Sequence, residues 1–175
     1  MICRNPTLFV SKKYFNFVAQ SNYQVMKQLT FDTTINAPRE KVWQVLFGND
    51  TYPQWTRVFS EGAGEGESRA ETDWKKGSKA RFVGGSGDGM LSRISDSIPN
   101  EYLEIIHEGT IMNGQEDYST IEAGGWGGAK ETYTLKDAGG KTELHVYTDM
   151  MDDYVEMFNS MWPKALDTVK QLSEN

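Results

Sequence analysis

The chain is short of several things, and each shortage excludes a class of protein. Its 175 residues include a single cysteine, Cys3. No internal disulfide can form, and no site built from several thiolates can hold a metal. A reducing, cytoplasmic setting fits that usage. Basic residues number 18 against 25 acidic ones, a formal net charge of −7. That balance lacks the positive field that meets phosphates, so neither nucleic acid nor an anionic membrane surface is an expected partner. No apolar run approaches the ~20 residues of a membrane span. Prolines number five against 17 glycines, and aromatics make up 12%. The expectation is a turn-rich, strand-rich globule of one domain with a real core.

Charge divides the chain near residue 26. Residues 1–25 carry Arg4, Lys12 and Lys13 and no acid, so every acidic residue follows them. Lys12 and Lys13 interrupt the apolar stretch of this leader, and no small-x-small cleavage signal ends it. It reads as an upstream extension rather than a secretory signal. Met26 is an alternative start, and residues 26–175 form the domain.

From Met26 the periodicity is clear. Leu29, Phe31, Thr33 and Ile35 alternate with polar residues, which predicts a half-buried strand. Pro38 opens a helix with Val42, Trp43, Val45 and Leu46 on one face. Gly48-Asn49-Asp50 ends it, and a second short helix starts near Thr51, capped by Asp50 or Thr51. An acidic, glycine-rich loop covers 61–67. Strands then come at hairpin spacing over 68–74, 78–84, 89–98, 101–111, 129–137 and 141–150. The first two flank Lys75-Lys76-Gly77, where glycine supplies a positive φ. The stretch 112–127, with Trp126 among four glycines, reads as variable.

Residues 152–173, near the C-terminus, predict one long helix. Val155, Phe158, Trp162, Leu166, Val169 and Leu172 form a stripe that Met157, Met161 and Ala165 widen. Asp153 and Glu156 have capping-box spacing, and Pro163 should bend the helix just before it. The order of elements is strand, two short helices, six strands, long helix: an α+β protein whose antiparallel sheet of about seven strands is covered by the one long amphipathic helix. A curved sheet around a single helix leaves space between them, and pockets form in such places.

Several runs resemble a known superfamily: INAPREKVWQVL, TYPQWTRVFSEG, DWKKGSKARFV, GMLSRISDSIPNEYLEIIHEG and GGAKETYTLKD. They are similar to the SRPBCC, or START-like, helix-grip proteins. More narrowly they resemble the branch named after the activator of heat-shock-protein-90 ATPase, over residues 26–173. The resemblance implies a helix-grip fold with an apolar cavity between sheet and helix. It implies no single chemistry, because the superfamily includes carriers, receptors and cyclases. It makes a small apolar or amphipathic ligand the expected partner. A chaperone partner is less favoured, since the leader is too short for the extra N-terminal domain of the eukaryotic co-chaperones.

Strand parity nominates the residues that face the cavity. Leu103, Ile105, His107 and Ile111 share one parity, and Glu131, Tyr133 and Leu135 share another. If the two strands pair, His107 and Glu131 approach each other on the inner face. Such a pair could be structural, could anchor a polar ligand group, or could work as acid and base. His145 falls on the outer parity. The expected binding residues are Trp55, Trp74, Phe82, Met90, Ile105, His107, Trp126, Glu131, Tyr133, Met157, Phe158, Met161 and Trp162, since aromatics and methionines suit an adaptable pocket. Core filling is the competing reading for each. Trp126 either closes the cavity mouth or pins its loop.

No cofactor or metal is expected. Gly84-Gly85-Ser86-Gly87-Asp88-Gly89 leads into a strand and lacks the Gly-Lys-Ser/Thr ending of a phosphate loop. His107-Glu108 has no second histidine at zinc-protease spacing. Asp149, Asp152 and Asp153 lack the glycine and glutamate of a calcium loop.

Overall fold

The computed structural model describes residues 26–60, 67–119 and 126–175. The basic leader, nearly all of the acidic glycine-rich loop and Gly124-Gly125 lie outside the described residues. Strand β1 spans Met26–Ile35, helix α1 Arg39–Phe47 and helix α2 Tyr52–Thr56, which runs into a 3-10 turn at Arg57–Ser60. Strands β2 (Arg69–Glu71), β3 (Lys79–Val83), β4 (Gly89–Ile98), β5 (Tyr102–Met112), β6 (Gln115–Asp117), β7 (Lys130–Asp137) and β8 (Thr142–Met151) follow. A 3-10 turn at Asp152–Tyr154 leads into α3, Val155–Glu174.

All strand pairs are antiparallel, in the order β1-β8-β7-β5-β4-β3-β2. The first strand closes on the last over ten residue pairs, from Met26 opposite Met151 to Ile35 opposite Thr142. On the edge away from β4, strand β5 serves two partners. Tyr102–Ile106 pairs with β7, and Thr110–Met112 pairs with β6. The short β6 falls in the stretch that reads as variable, because three exposed polar residues give no alternation to detect. Its close approach is permitted by Gly109, where a Cβ would stand 2.3 Å from the Asp117 carbonyl oxygen.

Two irregularities bear on the inner face. The β4–β5 register shifts between Leu91 and Ser92 and again between Ile94 and Asp96. The first shift sets Leu91 opposite Gly109 but Ser92 opposite His107, so Glu108 is the extra residue of a bulge. Alternation breaks on β4, where Leu91 and Ser92 are buried in succession, whereas β5 alternates up to Ile111. Ile111 leaves the main core and packs in a small second cluster with Val83 and Leu91. The second irregularity is Trp74, whose φ of 59° is a left-handed conformation that a bulky residue rarely adopts. The expected strand over 68–74 therefore stops at Glu71. Gly77 has the positive φ expected of it, 89°.

Helix α3 runs through Pro163 to Glu174. Its stripe is graded. Trp162, Ala165, Leu166 and Val169 are buried against α1 and the sheet, whereas Val155 and Phe158 are only half-buried. From Trp162 onward the helix fills the core, and the two turns before it stand off. The expected capping box is absent: neither the 3-10 turn nor α3 begins with a side-chain cap. Asp152 pairs with Lys27 at 2.9 Å instead, and the acidic residues still suit the positive end of the helix. Thr51 likewise does not cap α2; its hydroxyl donates to the carbonyls of Gln44 and Gly48. No helix among the described residues is long and apolar enough to cross a membrane.

Candidate functional site

The space under the N-terminal half of α3 is a cavity of about 680 Å³. Its walls come from separate elements because each turns one parity or one helical face inward. Helix α2 supplies Tyr52 and Trp55, three residues apart and so on one face. The 3-10 turn supplies Phe59, and α3 supplies Phe158 and Trp162. Phe82 and Met90 stand opposite each other on β3 and β4. Ile105 and His107 come from β5, Glu131 and Tyr133 from β7, and Thr148 and Met150 from β8. Trp74 is held inward by its left-handed backbone, with its ring centroid 4.8 Å from that of Phe47. Trp126 also lines the space and lies 5.8 Å from the Tyr154 ring. The exposed Arg69, Ser86 and Asp88 mark where the cavity opens.

Trp55, Trp74, Phe82, Met90, Ile105, His107, Trp126, Glu131, Tyr133, Phe158 and Trp162 are thus brought together on one surface. Met157 and Met161 are not. Met157 is 40% exposed and Met161 half-buried away from the cavity. Each precedes an inward residue, Phe158 or Trp162, and one helical step of 100° carries it onto the flank. Pattern reading missed Tyr52, Thr148 and Ser92. Tyr52 could have been found from its spacing to Trp55, and Thr148 from its parity with Val146. Ser92 could not, since only the bulge at Glu108 brings it opposite His107.

The polar groups of the cavity are few. His107 is buried, and its Nδ1 lies 2.8 Å from the Ser92 hydroxyl. Burial pushes its pKa down to about 4, against a weaker upward pull from Asp149. Its imidazole is therefore neutral at physiological pH. Glu131 accepts a hydrogen bond of 2.5 Å from the Tyr133 hydroxyl. Burial pushes its carboxyl up to about 7, with the Tyr133 bond acting the other way. The Tyr133 and Tyr52 phenols are raised by burial and by the nearby Glu131 charge, so they stay protonated.

The expected His107–Glu131 pair does not form. Glu131 stands opposite Ile105, and His107 lies two residues further along, where its backbone N–H bonds to Ala129. Each side chain has a different partner, Ser92 or Tyr133. Both line one cavity, but a proton relay between them has no hydrogen bond to travel along. His145 sits half-exposed beside Asp32, its Nδ1 2.6 Å from the carboxylate. Among the described residues no group of three His, Cys, Asp or Glu side chains could hold a metal ion.

An open antiparallel sheet wrapped on a long C-terminal helix, with short helices after the first strand, defines the α+β helix-grip class. The family model described as activator of Hsp90 ATPase homolog 1-like protein matches residues 36–174, and the chain belongs to that family. Solved structures of similar fold include the Aha1 dimer from Colwellia psychrerythraea. It is 18% identical with a TM-score of 0.62, over 85% of this chain and 97% of that one. Protein MLL2253 from Mesorhizobium loti is 16% identical with a TM-score of 0.60, over 83% and 96%. CalU16 from Micromonospora echinospora is 15% identical with a TM-score of 0.56, over 84% and 76%. Identities this low establish the shared fold alone. No match was found among curated proteins.

Proposed function

We propose that the chain binds a small apolar or amphipathic molecule between the sheet and the N-terminal half of α3. One observation carries the reading. A largely aromatic surface lines a space of about 680 Å³ that opens at Arg69, Ser86 and Asp88, and behind that rim only a few polar groups, chiefly half-buried Glu131 and buried His107, interrupt it. Unfilled volume forfeits packing energy that an occupant would restore. Ligand sites have this size and this mixture of apolar wall and sparse polar groups. The helix-grip fold supports the reading by analogy only.

Mass spectrometry of the intact protein, purified from its own host under non-denaturing conditions, tests this. The expected spectrum contains a species heavier by one small molecule, which is shed on collisional activation. A spectrum of the bare chain alone, unchanged after incubation with a host lipid and metabolite extract, would count against a binding role.

A further inference from the structure

Behind its rim, the cavity carries charge of one sign among the described residues. Its charged lining residues are Arg69, Asp88 and Glu131. Arg69 is exposed at the rim, and its Nε donates to Glu71 at 2.8 Å. Asp88 is exposed as well, with one oxygen accepting from the Asn113 backbone N–H at 2.7 Å. Glu131 alone stands among the rings. Among the described residues its one hydrogen bond is from Tyr133, to Oε1, so Oε2 is left for an occupant. Tyr133 bonds to it, Tyr52 is near enough to feel its charge, and these two rings belong to a continuous set. Tyr52 lies 5.3 Å from Trp55 and 5.9 Å from Trp74, and Trp55 lies 6.4 Å from Tyr133, centroid to centroid.

These groups discriminate between ligand head groups. A ligand carboxylate would meet the Glu131 charge with no unpaired cation to offset it. A neutral hydroxyl could bond to Glu131 but would gain nothing from the ring faces. An ammonium group gains from both, by a charge-assisted hydrogen bond to the carboxylate and by attraction to the aromatic faces. Resting on the reading of this cavity as a binding site, we infer that its occupant is an amphipathic amine. Its ammonium group is held by Glu131 among Tyr52, Trp55, Trp74 and Tyr133, and its apolar body lies toward Phe158 and Trp162.

Proton release accompanies such binding. Burial holds a share of Glu131 protonated near neutral pH, and an arriving cation favours the carboxylate. The other groups facing it stay fixed. Tyr52 from α2 and Tyr133 from β7 remain protonated, and His107 from β5 remains neutral. Thr148 from β8 and Trp162 and Phe158 from α3 do not titrate, and Arg69 and Asp88 sit at the solvated rim. Amine affinity should therefore rise with pH between about 6 and 8 and then level off.

Three probes with one apolar body separate the cases by calorimetry: 4-phenylbutylamine, 4-phenylbutan-1-ol and 4-phenylbutanoate. The amine is expected to bind about tenfold tighter than either of the others at pH 7.5. Titrations at pH 6.5 in two buffers of different ionisation enthalpy should show a proton leaving as the amine binds. In Glu131→Gln the ratio of amine to alcohol affinity should fall to within about twofold, with a thermal melt confirming that the variant folds. If it does not fold, the wild-type ratio and the proton release decide by themselves. An alcohol or carboxylate that binds as tightly as the amine, or amine binding without proton release, overturns the inference and leaves the binding role standing. Binding of none of the three overturns both.

Discussion

Replacing Trp162 by alanine should destabilise the domain by about 3–5 kcal/mol, the usual cost of emptying a large buried aromatic site. For a domain of this size that is a fall of roughly 10 °C or more in thermal midpoint. The ring is 2% exposed and lies between sheet and helix. Its centroid is 5.1 Å from Phe59, 5.5 Å from Phe31 and 6.3 Å from both Trp55 and Tyr133. Its Nε1 has no hydrogen-bond partner among the described residues, so the loss is one of packing. The cavity beside it cannot collapse to fill the hole, because α3 is anchored by Leu166 and Val169. Met157→Ala, an exposed change one turn earlier, should stay within about 0.5 kcal/mol of the wild type. Equal losses for the two variants in urea unfolding would mean that the helix face is wrongly assigned.

Stability should respond to pH in opposite senses when buried His107 and half-buried Glu131 are removed in turn. His107 has a depressed pKa, near 4 against an ordinary imidazole value of 6.5. Between these values the unfolded chain binds the extra proton, so this residue makes stability rise with pH. Glu131 has a raised pKa, near 7 against 4.5. Between those values the folded chain holds the extra proton. Its contribution is complete at low pH and is lost as pH rises through 7. From about pH 4.5 to 6.5 the two slopes oppose each other in the wild type. Glu131→Gln leaves the His107 slope, so its stability should climb by up to about 1.4 kcal/mol per pH unit relative to wild type. His107→Phe leaves the Glu131 slope and should decline over the same window. The ion-paired carboxylates Glu71 and Glu104, whose pKa values are lowered, act in all three proteins and cancel in the comparison. Urea melts at pH 4.5, 5.5 and 6.5 measure this. Parallel pH profiles for the three proteins would show that neither group is buried as described.

Most of the architecture was legible because it rests on period. Alternation along β5 and β7 placed Leu103, Ile105, His107, Tyr133 and Leu135 inward, and all are buried. The 3.6-residue repeat from Val155 to Leu172 located α3, although it did not show that the helix packs tightly only from Trp162 onward. What period could not reveal was set by local backbone. The register shift beside Glu108 breaks the phase of β4, burying Leu91 and Ser92 in succession, and so gives His107 a serine partner. The left-handed Trp74 shortens β2 yet still delivers its ring to the cavity. The methionines were assigned by composition, and composition carries no helical phase. Met157 and Met161 are offset by one residue from the line that faces the sheet.

The tryptophans offer a direct test of where a ligand sits. Trp55, Trp74, Trp126 and Trp162 line the cavity, whereas Trp43 packs on Phe47 from outside it, 4.6 Å between centroids. In proton–nitrogen correlation spectra each of the five indole N–H groups gives its own signal. On titration with 4-phenylbutan-1-ol the four lining signals should shift together along one binding curve while that of Trp43 moves least. A shift confined to Trp43, or no indole shift at probe concentrations that saturate other apolar pockets, would contradict a binding cavity between α3 and the sheet.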